Sequence, residues 1–475
     1  MAAPLLKVAQ AATDARKSRA KRRGPDIDDL GAVSLSEDAL ALQWARAHHG
    51  SFKWTPGMSW MLNAGSHWVP DDCLERFASV RRLCRQAATD ASDDREGKRL
   101  SSAKTVAATL TLAQSDILIA TQASRWDADP FTLNTPACLV DLRTGRSRTR
   151  SGDDYLTQVT RVSPADMACP AWSRFIDAVF LGDTETIDFV QRLLGYLLTA
   201  DRSEQKIFFW YGLGANGKST LIDLVAWILG SYAIKLPATV LMQSSMDRHP
   251  TELAQLRGKR VAVSSELDEG QFWNESRIKE LTGDEVLTAR FMRQDFFEFT
   301  MTQTHVIVGN YKPRMRGGDA ALARRFVLVP FLAKFEGTAR DPDMLTKLRA
   351  EAPGVLAWMI SGAVKWRAGG LAIPAAVTAA SREYLADNDD VSLWLAECCQ
   401  MQPDARTRAI DLYESFTGWI KARGQHPPSI RLFGDRMATL PGVSKVKSDG
   451  IRYLGVRLKF EEVERVQASR QGGFR

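Results

Sequence analysis

Ile207-Phe208-Phe209-Trp210-Tyr211-Gly212-Leu213-Gly214-Ala215-Asn216-Gly217-Lys218-Ser219-Thr220 joins an unbroken apolar run to a glycine-rich turn. The run Ile207 to Tyr211 has the pattern of a strand buried on both faces of a parallel sheet. Gly212 to Ser219 is a full G-x-x-x-x-G-K-S match, and an apolar helical run from Leu221 to Leu229 follows, closed by Gly230. Glycines let backbone N–H groups wrap an anion, and the helix N-terminus adds partial positive charge. The nucleotide-holding set is therefore Gly212, Gly214, Ala215, Asn216, Gly217, Lys218, Ser219 and Thr220. Lys218 is suited to the β- and γ-phosphates, and the Ser219 hydroxyl to Mg²⁺.

Downstream, Arg260-Val261-Ala262-Val263-Ser264-Ser265-Glu266 has the pattern of a second core strand ending in a carboxylate, with Asp268 and Glu269 close behind. A carboxylate there can polarise an attacking water or hold Mg²⁺, so Glu266 is a candidate catalytic and metal residue. Surface acids in a loop are the ordinary alternative. Thr304-His305-Val306-Ile307-Val308-Gly309-Asn310 predicts a third strand ending in an amide. Beside the phosphate loop, Asn310 could bind the γ-phosphate or orient the water; elsewhere it would be a turn residue. Arg324-Arg325-Phe326 then leads into the apolar strand Val327-Leu328-Val329. A guanidinium from this pair reaching a neighbouring subunit's γ-phosphate would stabilise transition-state charge, an effect worth ~10³ to 10⁵ in rate. Structural salt bridging is the competing role for either arginine.

The chain has 475 residues, 45% hydrophobic and 25% charged, the balance of a globular protein of several domains. No apolar stretch approaches a membrane span, and no secretory leader is evident. Six cysteines without a C-x-x-C pair read as reduced thiols, so a cytoplasmic protein with no membrane partner is expected. The net charge of +7 permits nucleic-acid binding without proving it. Much of the excess lies in Arg16-Lys17-Ser18-Arg19-Ala20-Lys21-Arg22-Arg23, a solvated tail or a phosphate-binding arm.

The pattern divides the chain into a flexible basic lead-in (1–34), a mainly α-helical domain (35–170), a core with leading helices (171–384) and a small C-terminal domain with its tail (385–475). Phe52 to Trp68 alternates like an antiparallel hairpin, and Val140 to Gly145 reads as a strand entering a turn. Val443 to Lys447, then Ser448-Asp449-Gly450 and Ile451 to Leu458, form a second hairpin signal around a D-G turn.

The order of these motifs resembles the AAA+ core of superfamily-3 helicases, specifically the phage/plasmid primase–helicase family that includes poxvirus and satellite-phage proteins. Besides the stretches above, the match rests on Ile278-Lys279-Glu280-Leu281-Thr282-Gly283-Asp284, Arg290 and Gly309-Asn310-Tyr311-Lys312-Pro313. It extends upstream through Trp54 to Trp68 and Gly195-Tyr196-Leu197-Leu198, and downstream through Leu432-Phe433-Gly434 to Leu458. The resemblance implies an α/β fold: a P-loop core with a parallel sheet flanked by helices, preceded by a mainly α-helical domain and followed by a small winged-helix-like domain. It also implies a homo-oligomeric ring, usually hexameric, that hydrolyses ATP with Mg²⁺ between subunits and translocates on DNA, typically 3′ to 5′. In such rings a hairpin projects into the pore. Here Val286 to Arg290 and Phe296 to Phe299 would be its arms, with Met292 to Asp295 at the tip. Arg290, Arg293 and Lys279 are then the candidate DNA contacts, against the plainer role of exposed charges on an ordinary hairpin.

Two departures stand out. The superfamily often has adjacent acids at the end of the second strand, whereas this chain has Ser265-Glu266 with Asp268 displaced, which leaves the metal and water roles open. No acidic catalytic cluster precedes the helical domain, so priming would fall to a separate primase. The leading expectation is an ATP-driven replicative helicase of a phage, plasmid or other mobile element. A DNA-remodelling initiator or packaging ATPase of the same fold is the alternative. A nucleotide-dependent DNA-binding assembly module would have no need of acid, sensor and arginines together.

Overall fold

The computed structural model describes residues 35–243, 251–265, 269–292, 295–315, 320–387, 389–423, 427–448 and 450–472. These fall into two compact units. One runs to Ala128 and includes Gly152–Thr157; the other comprises Asp129–Ser151 and the chain from Gln158 onward.

In the first unit Ser36 caps helix α1 (Glu37–His48), its side chain accepting the Ala39 N–H. A three-stranded antiparallel sheet follows, of β1 (Phe52–Thr55), β2 (Ser59–Asn63) and β3 (Trp68–Pro70), with Phe52 opposite Leu62 and Trp54 opposite Trp60. The aromatic hairpin expected here gains a third strand. Helices α2 (Glu75–Thr89), α3 (Asp94–Leu100) and α4 (Ala103–Ala113) complete the unit. Leu40, Trp44, Phe52, Trp60, Val80, Leu100 and Leu110 share its core. The buried Trp44 indole N–H is satisfied by the Ser79 hydroxyl at 2.8 Å.

The second unit opens with a small antiparallel sheet of β4 (Thr132–Asn134), β5 (Leu139–Asp141) and β6 (Arg146–Arg148). Two helices follow, α5 (Pro170–Val179), with its proline at the first helical position, and α6 (Thr184–Tyr196), capped by Asp183. Then come β7 (Ile207–Tyr211), α7 (Lys218–Leu229), β8 (Ala233–Pro237), β9 (Val261–Ser265) and α8 (Glu275–Gly283). The hairpin β10 (Val286–Ala289) and β11 (Phe297–Thr300) precedes β12 (Thr304–Gly309) and β13 (Phe326–Pro330).

Five of these strands form one parallel sheet in the order β13-β7-β12-β9-β8. Their unbroken apolar sequences follow from burial on both faces, because successive side chains alternate between two cores. Phe208, Trp210, Val306, Val308, Val327 and Val329 face the core that includes α5, α6 and α7. Ile207, Phe209, Ala262, Ile307, Phe326 and Leu328 face the core that includes Ile278 and Leu281 of α8. Helix α9 (Ala352–Gly369) crosses α6 at glycine contact: a Cβ on Gly195 would lie 2.0 Å from the Ala363 nitrogen.

Helix α10 (Ala375–Asp387) leads into a last region with its own core of Trp394, Phe416, Phe433 and Tyr453. It consists of α11 (Asp390–Cys398), β14 (Cys399–Arg408), α12 (Ala409–Ala422), α13 (Ile430–Met437), β15 (Ser444–Ser448), β16 (Gly450–Leu458) and α14 (Phe460–Gly472). The sheet order is β14-β16-β15, and the expected hairpin pairs Ser448 with Gly450 across the turn, whose Asp449 lies outside the described residues. The fold is thus the expected α/β architecture. Among the described residues no helix is long and apolar enough to cross a membrane.

Candidate functional site

Because all five strands are parallel, their carboxyl ends share one rim, and the glycine loop leaves β7 at that rim. The loop turns through positive φ at Gly214 (+106°), Ala215 (+46°) and Gly217 (+84°). Gly217 is fixed twice over: its φ favours glycine, and a Cβ there would lie 2.7 Å from Val179 Cγ2. Helix α7 starts with no side-chain cap, so its first N–H groups are left for a partner outside the helix.

Lys218 is buried at this helix start. Its Nζ donates to the Gly212 carbonyl at 2.7 Å, Asn216 Oδ1 at 2.9 Å and Asn310 Oδ1 at 3.1 Å. All three acceptors are neutral. Burial pushes the ammonium down to about 8. Among the described residues only dipoles hold this desolvated cation, and beside an uncapped helix start it fits a phosphate chain.

The remaining contacts lash the loop to both neighbouring strands. Asn310 is the first residue beyond β12, on one side of β7. On the other side, Phe331 follows β13; its N–H donates to the Tyr211 carbonyl at 2.8 Å and its carbonyl accepts Asn216 Nδ2 at 3.2 Å. Further on, the Phe335 N–H donates to the Ala215 carbonyl at 2.6 Å. Asn216, read from sequence as a phosphate contact, is thus buried as a clamp between Lys218 and β13. Ser219 is exposed and Thr220 half-buried in the first turn of α7.

Strand β9 ends at Ser265 on the same rim, and the candidate acids Glu266 and Asp268 lie outside the described residues. Among the described residues no group of three or more His, Cys, Asp or Glu side chains gathers as a metal site.

Arg324 and Arg325 stand at the opposite end of the sheet. Phe326 pairs with Ile207, the first residue of β7, so the arginines precede the strand while the glycine loop follows it. Five residues at about 3.3 Å each put about 16 Å between the two ends, more than an arginine side chain can bridge. The pair is also divided: Arg324 is exposed, whereas Arg325 is buried, with its guanidinium near Gly283 and its carbonyl accepting the Ile207 N–H. Both line a cleft of about 590 Å³ together with Lys279, Glu280 and Asp284. Lys279 thus shares a cleft with the two arginines.

That hairpin has the expected arms, with Val286 opposite Thr300 and Ala289 opposite Phe297. Arg290 stacks over the Phe296 ring at 4.6 Å, and Phe291, Met292 and Phe296 are exposed beside it. Arg293 lies outside the described residues. Sequence reading missed Phe331 and Phe335 as loop partners. The signal was available: if the strands are parallel, whatever follows the strand beside β7 must meet the glycine loop.

These features define an α/β core with a glycine loop and a buried lysine at the carboxyl rim of a five-stranded parallel sheet. Residues 41–181 match the family described as D5 N terminal like, and residues 210–325 match a family of unknown function (DUF5906). A provisionally named helicase (L207/L206) of Acanthamoeba polyphaga mimivirus is 25% identical over 261 residues, covering 50% of this chain and 27% of that protein. A second provisionally named helicase, 022R of Frog virus 3 (isolate Goorha), is 28% identical over 280 residues, covering 53% and 28%. Primase D5 of Fowlpox virus (strain NVSL) is 30% identical over 144 residues, covering 29% and 18%. The chain thus spans about a quarter of the length of the two helicase-named relatives. Among solved structures, the apo C-terminal region of NrS-1 superposes with a TM-score of 0.50 at 11% identity, over 86% of this chain and 96% of that one, a likeness of fold. The chain is related to the D5-type primase–helicases.

Proposed function

We infer that this chain is an ATP-dependent DNA helicase working as a ring of identical subunits. The glycine loop and the start of α7 hold the phosphates of ATP. Lys218 neutralises the β- and γ-phosphates, and the Ser219 hydroxyl ligates Mg²⁺ alongside phosphate oxygens. Glu266 supplies the carboxylate that polarises the attacking water or completes the metal's shell. Asn310, already bonded to Lys218 Nζ, orients the γ-phosphate or that water. Arg324 and Arg325 act on the nucleotide of the adjacent subunit, and Lys279, which shares their cleft, joins them there. Arg290 and Arg293 of the hairpin meet the DNA. The resemblance to superfamily-3 helicases favours a hexamer moving 3′ to 5′.

The observation that carries this reading is the placement of the glycine loop at one end of β7 and the arginine pair at the other. One subunit cannot close that gap. Head-to-tail copies can, and head-to-tail contacts that close make rings. The helicase names of the mimivirus and Frog virus 3 relatives support the DNA part of the reading.

ATP hydrolysis with and without single-stranded DNA, for wild type and Lys218→Ala, tests it. DNA-stimulated turnover that is lost in the variant, together with strand displacement from a forked duplex, is expected. Turnover indifferent to DNA, with no displacement, would point to a motor with another substrate.

A further inference from the structure

Among the described residues the three most exposed leucines are Leu213 (86%), Leu332 (76%) and Leu181 (66%), and all three fringe the glycine loop. Leu213 is in the loop itself. Leu332 follows Phe331, whose backbone is bonded to Tyr211 and Asn216. Leu181 follows Val179 and Phe180 at the end of α5; Val179 is the residue a Cβ on Gly217 would strike, and the Phe180 ring lies 5.1 Å from that of Phe331. Leu181 also holds φ at +55°, a left-handed backbone that leucine seldom adopts. Exposed apolar side chains are common singly, but a fringe of three around one polar loop, one of them on strained backbone, is the pattern of a ligand surface.

The sheet order says which part of a ligand meets this fringe. On one side of β7 lies β12, whose end carries Asn310 in contact with Lys218, with β9 beyond it. That is the γ-phosphate side. On the other side lies β13, which ends at Phe331 and Leu332. A nucleoside triphosphate whose γ-phosphate points toward Asn310 sends its nucleoside toward β13. This step rests on the nucleotide-binding reading above.

We propose that Leu332, Leu213 and Leu181 form the platform on which the nucleobase lies. It is apolar, it borders the loop that takes the phosphates, and a flat aromatic base is the part of ATP that gains from such a surface.

Binding of two probes by the full chain, ATP and inorganic tripolyphosphate, each with Mg²⁺, tests the assignment in wild type, Leu332→Ser and Leu213→Ser. The platform predicts ATP affinity lowered about tenfold or more in each variant. Tripolyphosphate affinity should stay within about twofold of wild type, and KM for ATP should rise with kcat kept. Equal loss of both ligands would overturn the proposal, because the leucines would then be shaping the phosphate loop. No change in either ligand would also overturn it and would give the leucines to another surface, such as a second copy of the chain. If wild type bound neither probe, the nucleotide reading itself would fall, and the platform with it.

Discussion

The two ends of the parallel sheet carry opposite kinds of polar chemistry. At the carboxyl rim, Lys218 is buried and, among the described residues, bonded three times and only to neutral oxygens. At the amino end, Arg324 and Arg325 open into a cleft that already contains the carboxylates Glu280 and Asp284. The first end can accept a phosphate within one chain. The second holds cations that its own chain's phosphate site cannot reach. On the proposed reading a binding half and a completing half are separated by the length of β7, the geometry expected where turnover needs two copies.

The largest effect should come from the amino end. Replacing both arginines, Arg324→Ala with Arg325→Ala, should lower ATP turnover about 10³-fold or more while nucleotide affinity changes only a few-fold. Single-turnover kinetics and nucleotide titration separate the two quantities, and a parallel loss of binding would erase the contrast. The single variants sharpen it, since only Arg324 is exposed in this structure. Next comes the carboxyl rim, where Lys218→Ala should weaken nucleotide binding about 100-fold or more, the cost of deleting one partner of a buried charged contact. Unchanged affinity there would remove Lys218 from the site.

A smaller effect follows from pH. With Lys218 near 8 in the free protein, below the usual lysine value of 10.5, it is charged below pH 8 and loses its proton above. Nucleotide affinity should be flat below that point and fall by up to about tenfold per unit above it, with a proton taken up on binding. Calorimetry in buffers of different ionisation heat reads that proton directly. The same depression means the folded chain binds fewer protons than the unfolded one between about 8 and 10.5, so its contribution to stability rises with pH across that window. The smallest effect on the site belongs to Tyr384→Phe. The Tyr384 hydroxyl accepts the Trp273 indole N–H at 2.6 Å and donates to the Pro313 carbonyl, bracing the segment after Asn310. Its loss should cost about 1–3 kcal/mol of stability, measured by denaturant unfolding, and alter nucleotide affinity only slightly.

Much of this comparison could be read in the residues before any coordinates. Strands buried on both faces leave apolar runs, so β7, β9, β12 and β13 stood out, and the glycine motif marked the loop between β7 and α7. The β10–β11 arms were expected only from the resemblance to superfamily-3 helicases, and the structure pairs them. Other features depend on contacts distant in sequence. Nothing in residues 152–157 announces their return to the first unit, which is made by pairings such as the Trp68 N–H with the Leu156 carbonyl. Arg324 and Arg325 are identical neighbours in sequence, and only the fold distinguishes a buried one, whose guanidinium lies near Gly283, from an exposed one. Asn216 could be read as part of the motif; its side-chain clamp to Phe331 required knowing that β13 lies beside β7.

A mixing experiment tests the central claim, that the active site is shared between copies, most directly. Lys218→Ala subunits lack the phosphate half, and subunits carrying both Arg324→Ala and Arg325→Ala lack the completing half. Each population alone should be almost inactive. Mixed in equal amounts and allowed to reassemble, they should recover about a quarter of wild-type ATPase, because random neighbours then restore that share of complete sites. Recovery at that level would establish that the two ends of the sheet meet across subunits. No recovery from populations shown to co-assemble would contradict the account.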